Sequence, residues 1–150
     1  MHRLAPLAFL VVVLLFAGCS EHATDKAPNI HYGIDACAEC RMIIGDKRFA
    51  GAFITTDGET IKFDDIGCMR VYERKHGVMP RHAWVHDYPS EAWIDQTKAV
   101  FVHSAAMVTP MGYGIAAFSD AQKARQFLEK QGGQKILWDK MSETLHKDHE

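Results

Sequence analysis

No block of basic residues, and no alternation of basic with aromatic side chains, occurs in the 150-residue chain, whose formal net charge is −2. Nucleic acid is thereby set aside as a partner, because phosphate binding needs a concentrated positive patch. No apolar run is long enough to cross a bilayer either. The N-terminal one, Leu7 to Ala17, is well short of the ~20 residues a spanning helix takes. The Cys37-Ala38-Glu39-Cys40 dithiol lacks a strong strand before it and an obvious helix after it, the setting a thioredoxin-like redox pair requires.

The short apolar run has a different use. His2 and Arg3 precede it and Ala17-Gly18-Cys19 follows, the layout of an export signal ending in a lipobox-like site. Residues 1–18 are thus expected to be removed and Cys19 lipidated, which places the chain on the periplasmic face of a bacterial membrane. Residues 19–34, polar and carrying Pro28, are expected to tether a domain spanning 35–150. Loss of Arg3 leaves 16 basic against 19 acidic residues. Beyond Cys19 the cysteines are Cys37, Cys40 and Cys68, an odd set that leaves at least one thiol outside any internal disulfide.

Cys37, Cys40 and Met42 put three sulfur side chains within six residues, just after Gly33 and Asp35 signal a turn. Thiolate and thioether are soft donors, and a sulfur-rich, oxygen-poor set favours Cu(I) over magnesium, calcium or manganese. Zinc sites take Cys, His and carboxylate but seldom Met, so the thioether is the informative member. A structural disulfide and a core-filling Met42 are the plainer readings of the same residues.

The rest of the chain reads as α+β, two ββαβ units in tandem over about 35–90 and 91–140. In the first, Arg48–Thr55 and Glu59–Phe63 flank Asp57-Gly58, a hairpin signal. Asp64 or Asp65 then caps a helix through about His76, stopped by Gly77, before a strand at 83–87. In the second, strands are expected at 99–103 and 114–118, and a Ser119/Gln122 capping box opens a helix with Ala121, Ala124, Phe127 and Leu128 on one face. Gly132-Gly133 ends it, and a closing strand follows at 135–138. Phe63/Phe118, Asp65/Asp120 and Gly77/Gly132 all stand 55 positions apart, which supports an internal duplication. Trp93-Ile94 would lie at the junction, and the charged tail after Trp138 is expected to be solvated.

A Cu(I) ion takes on the order of two to four donors, so the 37–42 loop needs company. Met111 stands among Pro110, Gly112 and Gly114, where core filling is unusual. Met107 is a weaker candidate and Met69, on a helix face, reads as core. His103 at a strand end offers an imidazole, although such a residue is more often a surface one. Cys68 sits one turn into the first helix, where a buried inert thiol competes with a helix N-terminal thiolate.

Taken in order, C-x-x-C-x-M at 37–42, F-D-D-x-x-C-M at 63–69, D-Y at 87–88, W-I-D at 93–95 and P-M-G-x-G at 110–114 resemble the NosL family. The resemblance covers nearly all of the chain beyond the signal. It implies a fold of two ββαβ halves similar to part of organomercurial lyase, and a copper-binding lipoprotein that binds one Cu(I). It also implies a metallochaperone, not an enzyme, supplying the copper-sulfide centre of nitrous oxide reductase. By motif position Cys40, Met42 and Met111 match the family's ligands, with His103, another histidine or Cys37 as a fourth donor and Cys68 in reserve. Arg41 stands where the family has glycine, restricting the backbone beside the thiol. Two other functions compete: a thiol-disulfide oxidoreductase using Cys37 and Cys40, and an organomercurial lyase-like protein. The lyase would need an acid near paired thiols, Asp64 or Asp65.

Overall fold

The computed structural model describes residues 26–147. The signal segment, Cys19 and the tether as far as 25 lie outside the described residues, as do 148–150. The chain joins the core at Ile30, which is buried, and the Tyr32 hydroxyl bonds His86 at 2.7 Å. Packing therefore begins before residue 35.

The first unit starts with β1 (Gly51–Ile54), whose four residues are all buried, and β2 (Thr60–Phe63), which turns Ile61 and Phe63 inward and Thr60 and Lys62 outward. The Asp57-Gly58 turn between them closes through Gly58 N–H to the Thr55 carbonyl, with Gly58 at φ 90 as such a turn demands. Helix α1 (Ile66–His76) is capped by the Asp65 carboxylate on Gly67 N–H and ended by Gly77 at φ 61, with Arg74, Lys75 and His76 near its negative end. Strand β3 (His82–His86) pairs antiparallel with β1, and β4 (Trp93–Asp95) extends the sheet beyond β3. Trp93 and Ile94 thus belong to the first sheet and not to a junction.

The second unit repeats the plan with β5 (Val100–His103), β6 (Ile115–Phe118), α2 (Ala121–Gln131) and β7 (Gln134–Ile136). The sheets run β2-β1-β3-β4 and β6-β5-β7, so the first three strands of each unit are arranged alike. The shared 55-residue register holds from the second strand to the end of the helix, 60–76 against 115–131. It fails before that because the β5–β6 loop, 104–114, is six residues longer than the β1–β2 loop, 55–59. Those extra residues matter for the site below.

Two sequence expectations are corrected here. Ser119 and Gln122 form no capping box: Asp120 accepts from Gln122 and Lys123 N–H, while Ser119 N–H donates to Asp87 at 2.7 Å. A charged acceptor at a helix N-terminus outcompetes a hydroxyl one position earlier. Ala121 is exposed, so α2 packs mainly through Ala124, Phe127 and Leu128. The tail, in turn, is not a solvated strand end. Residues 138–140 make a 3-10 turn leading into α3 (Met141–Lys147), which buries Met141 and Leu145 in the main core. Trp138 donates its indole N–H to the buried Glu73 of α1 at 3.1 Å.

The two units share one interior. The main core holds Phe53, Phe63 and Val85 of the first with Phe101, Ile115 and Ile136 of the second. A smaller core gathers Phe49, Val102, Phe118 and Ala124, with Met107 packed on it as filler. The backbones also meet, in a parallel bridge from Asp87 to Ala117 and a 2.8 Å bond from Tyr88 N–H to the Ala117 carbonyl.

Candidate metal centre

The 37–42 segment folds as a tight ribbon turn, not a helix start. Cys37 N–H donates to the Met42 carbonyl at 2.8 Å, Arg41 N–H to the Cys37 carbonyl at 3.0 Å, and Ala36 pairs with Ile43 outside them. Ala38 N–H on the Lys62 carbonyl and Lys62 Nζ on Asp35, both short, fasten the ribbon to the edge strand β2. Arg41 has φ 68, the left-handed region a glycine would occupy without strain.

This turn presents its sulfurs to the start of α1. The Sγ atoms of Cys37, Cys40 and Cys68 and a carboxylate oxygen of Asp64 all lie within 4.8 Å of one another. Cys37, Cys68 and Asp64 are buried, Cys40 is half-buried, and all three cysteines are free thiols. The Cys40 thiol donates to Asp64 Oδ1 at 3.3 Å. A hydrogen bond from Cys68 lowers the Cys37 pKa, and burial opposes it. The same contact, followed by burial, raises Cys68, whereas Cys40 is raised chiefly by burial.

The long β5–β6 loop reaches the same spot. The Thr109 hydroxyl and the Met111 N–H both donate to Asp65 Oδ2, at 2.7 and 3.1 Å, while Asp65 Oδ1 caps α1. Tyr113 packs against Gly67, where a Cβ would come within 2.2 Å of its ring. Burial raises the Asp65 carboxyl, and these hydrogen bonds oppose the rise. Asp65 thus ties the second unit's loop to the first turn of the helix that carries Cys68. Met111 packs half-buried on the core cluster that contains Cys37 and Cys68.

The sequence candidates divide accordingly. Cys37, Cys40 and Cys68 come together. Met42 stands at the end of the ribbon with 54% of its surface exposed. Met69 is fully buried, as expected of a core residue, and Met107 fills the second core. His103 is half-buried at the end of β5, beside Gln134 of β7, and does not belong to the thiol cluster. Asp64, weighed in the sequence only as a helix cap or as the acid of a lyase, is the residue that reading undervalued. Its one local signal is its place before a cap, three and four residues ahead of Gly67 and Cys68.

Together, the doubled ββαβ frame and the sulfur-rich pocket at its seam define a class: an α+β domain whose donor set suits a soft metal ion. The NosL family model matches residues 32–146, and the chain belongs to the NosL family. A similar relative is the copper-binding lipoprotein NosL of Stutzerimonas stutzeri, 24% identical over 97% of this chain and 84% of that one. A similar solved structure is that of the copper chaperone NosL from Shewanella denitrificans, with a TM-score of 0.68. It is 22% identical and covers 77% of this chain and 95% of its own, a likeness that establishes the fold.

Proposed function

We propose that this protein is a carrier of Cu(I) and not an enzyme, taking its ion at Cys40 with the Met42 and Met111 thioethers and handing it to another protein. The observation that carries the reading is the tie through Asp65, which seats the Met111 loop on the helix whose first turn adjoins the thiol cluster. A thiolate with two thioethers holds Cu(I) firmly enough to transport and loosely enough to release, and it loosens as pH falls and the thiol regains its proton. The family relatives named for copper binding and for chaperoning support the same reading. A dithiol oxidoreductase is disfavoured because Cys37 is wholly buried, out of reach of a disulfide substrate.

Lipidation at Cys19 would hold the carrier at the periplasmic face of the membrane, and nitrous oxide reductase, through its copper-sulfide centre, is the recipient we infer. Competition with a Cu(I) chelator tests the site: Cys40→Ser with Met111→Ala should weaken binding about a hundredfold, roughly 2.7 kcal/mol, and unchanged affinity rejects it. Reductase purified from cells lacking this protein should be short of copper at the copper-sulfide centre; a full complement there rejects the recipient.

A further inference from the structure

We propose that Cys37 and Cys68 close into a disulfide bridge by passing an oxidising equivalent inward through Cys40, which is left as the free thiol of the cluster. The bridge itself needs no metal; its consequence for the ion rests on the copper-carrier reading. Its ground is where the three sulfurs stand. They lie within 4.8 Å of one another, yet Cys37 and Cys68 are sealed from solvent while Cys40 is half-buried. Cys37 is the middle member, hydrogen-bonded to both Cys68 and Cys40. The Cys40 thiol also donates to Asp64 at 3.3 Å.

A disulfide carries neither charge nor a hydrogen to bond, so it suits the apolar core that houses Cys37 and Cys68. Sulfurs already in hydrogen-bond contact need close only the remaining gap to an S–S bond of about 2.05 Å. The exchange runs in three steps, each an attack by thiolate on a disulfide sulfur. Cys40, the sulfur an external disulfide can reach, bonds to one half of that disulfide and displaces the other half as a thiol. Cys37 then attacks the Cys40 sulfur and displaces the second external thiol. Cys68 attacks the Cys37 sulfur, forming the inner bridge and returning Cys40 as a thiol. Two electrons and two protons pass from the chain to the external disulfide, which leaves as two thiols. The bridge ends where no external thiol reaches, which makes it a staple and not a turnover intermediate. It ties the ribbon carrying Cys40 and Met42 to α1, the helix that holds the Met111 loop through Asp65. One thiol then remains to meet the ion beside the two thioethers.

The test treats the reduced, metal-free full chain in detergent with oxidised glutathione, then maps Cys37, Cys40 and Cys68 by alkylation and peptide mass. A Cys37–Cys68 link with Cys40 alkylated is expected. A Cys37–Cys40 link, three alkylated thiols, or glutathione retained on Cys40 overturns the inference. Cys40→Ser should slow closure of the bridge in folded protein about tenfold or more, and leave it unhindered when the chain refolds from denaturant in the same reagent. An equal rate in the folded state overturns the inward route. Bridged protein is then offered Cu(I) from a chelator with no thiol added, and binding that Cys40→Ser abolishes is expected. A bridged chain that takes no Cu(I) overturns the carrier reading and leaves the bridge standing.

Discussion

Arg41 keeps a backbone angle, φ 68, that costs a residue with a Cβ about 1 kcal/mol relative to glycine. Two hydrogen bonds closing the ribbon turn, from Cys37 N–H and Arg41 N–H, impose it. Arg41→Gly should therefore raise the unfolding free energy, read from chemical denaturation of reduced protein, by about 1 kcal/mol, partly offset by the freedom glycine gains in the unfolded chain. A loss of stability would mean that the Arg41 side chain contributes more than its conformation costs. The turn residues were legible because their signals are local: Gly33, the Asp57-Gly58 pair and Gly77 each need only their neighbours. Asp64 was not, because its meaning depends on Cys37, 27 positions earlier, meeting Cys68 across the core.

Among the elements, the β5–β6 loop and α1 act as a pair through Asp65. Removing that carboxylate deletes a helix cap and two hydrogen bonds to a buried, charged acceptor. Asp65→Ala should cost about 3 kcal/mol in chemical denaturation. It should also weaken Cu(I) binding about tenfold by freeing Met111, whereas equal affinity would mean that the loop is held by Tyr113 on Gly67 alone. The C-terminal helix is a second case. Truncation after Lys140 removes Met141 and Leu145 from the core and should cost about 4 kcal/mol, measured the same way. A neutral truncation would make α3 an ornament of the fold. That helix escaped notice because charged residues outnumber apolar ones after 138, yet Trp138, Met141 and Leu145 repeat at helical spacing and were there to be read. Strand β4 offered less: its three residues exist as a strand only through their pairing with β3.

At the scale of the molecule, the first unit closes around a group that dislikes acid. His86 is wholly buried, stacked on Trp93 at 3.7 Å between ring centres, with Nδ1–H donating to the Glu91 carbonyl and Nε2 accepting from Tyr32. Burial lowers its pKa from 6.5 to about 4. Between those values the unfolded chain binds a proton that the native one refuses, so stability rises with pH across the window and is lost as pH falls through it. Using the ordinary 1.36 kcal/mol per pH unit, the full loss is about 3 kcal/mol. Urea midpoints at pH 7 and 4.5 should diverge less in His86→Gln than in the parent; an equal divergence would assign the acid sensitivity to the carboxylates.

The repeat that builds the molecule is faithful in shape and not in chemistry. Carried 55 positions along the chain, Asp64 becomes Ser119 and Cys68 becomes Lys123, so one helix opens on a thiol and its twin on an ammonium. The twin repels what the first attracts. On the copper-carrier reading, soft cations therefore meet thiols in the first unit alone among the described residues, and the second unit lends it the longer β5–β6 arm tied down at Asp65.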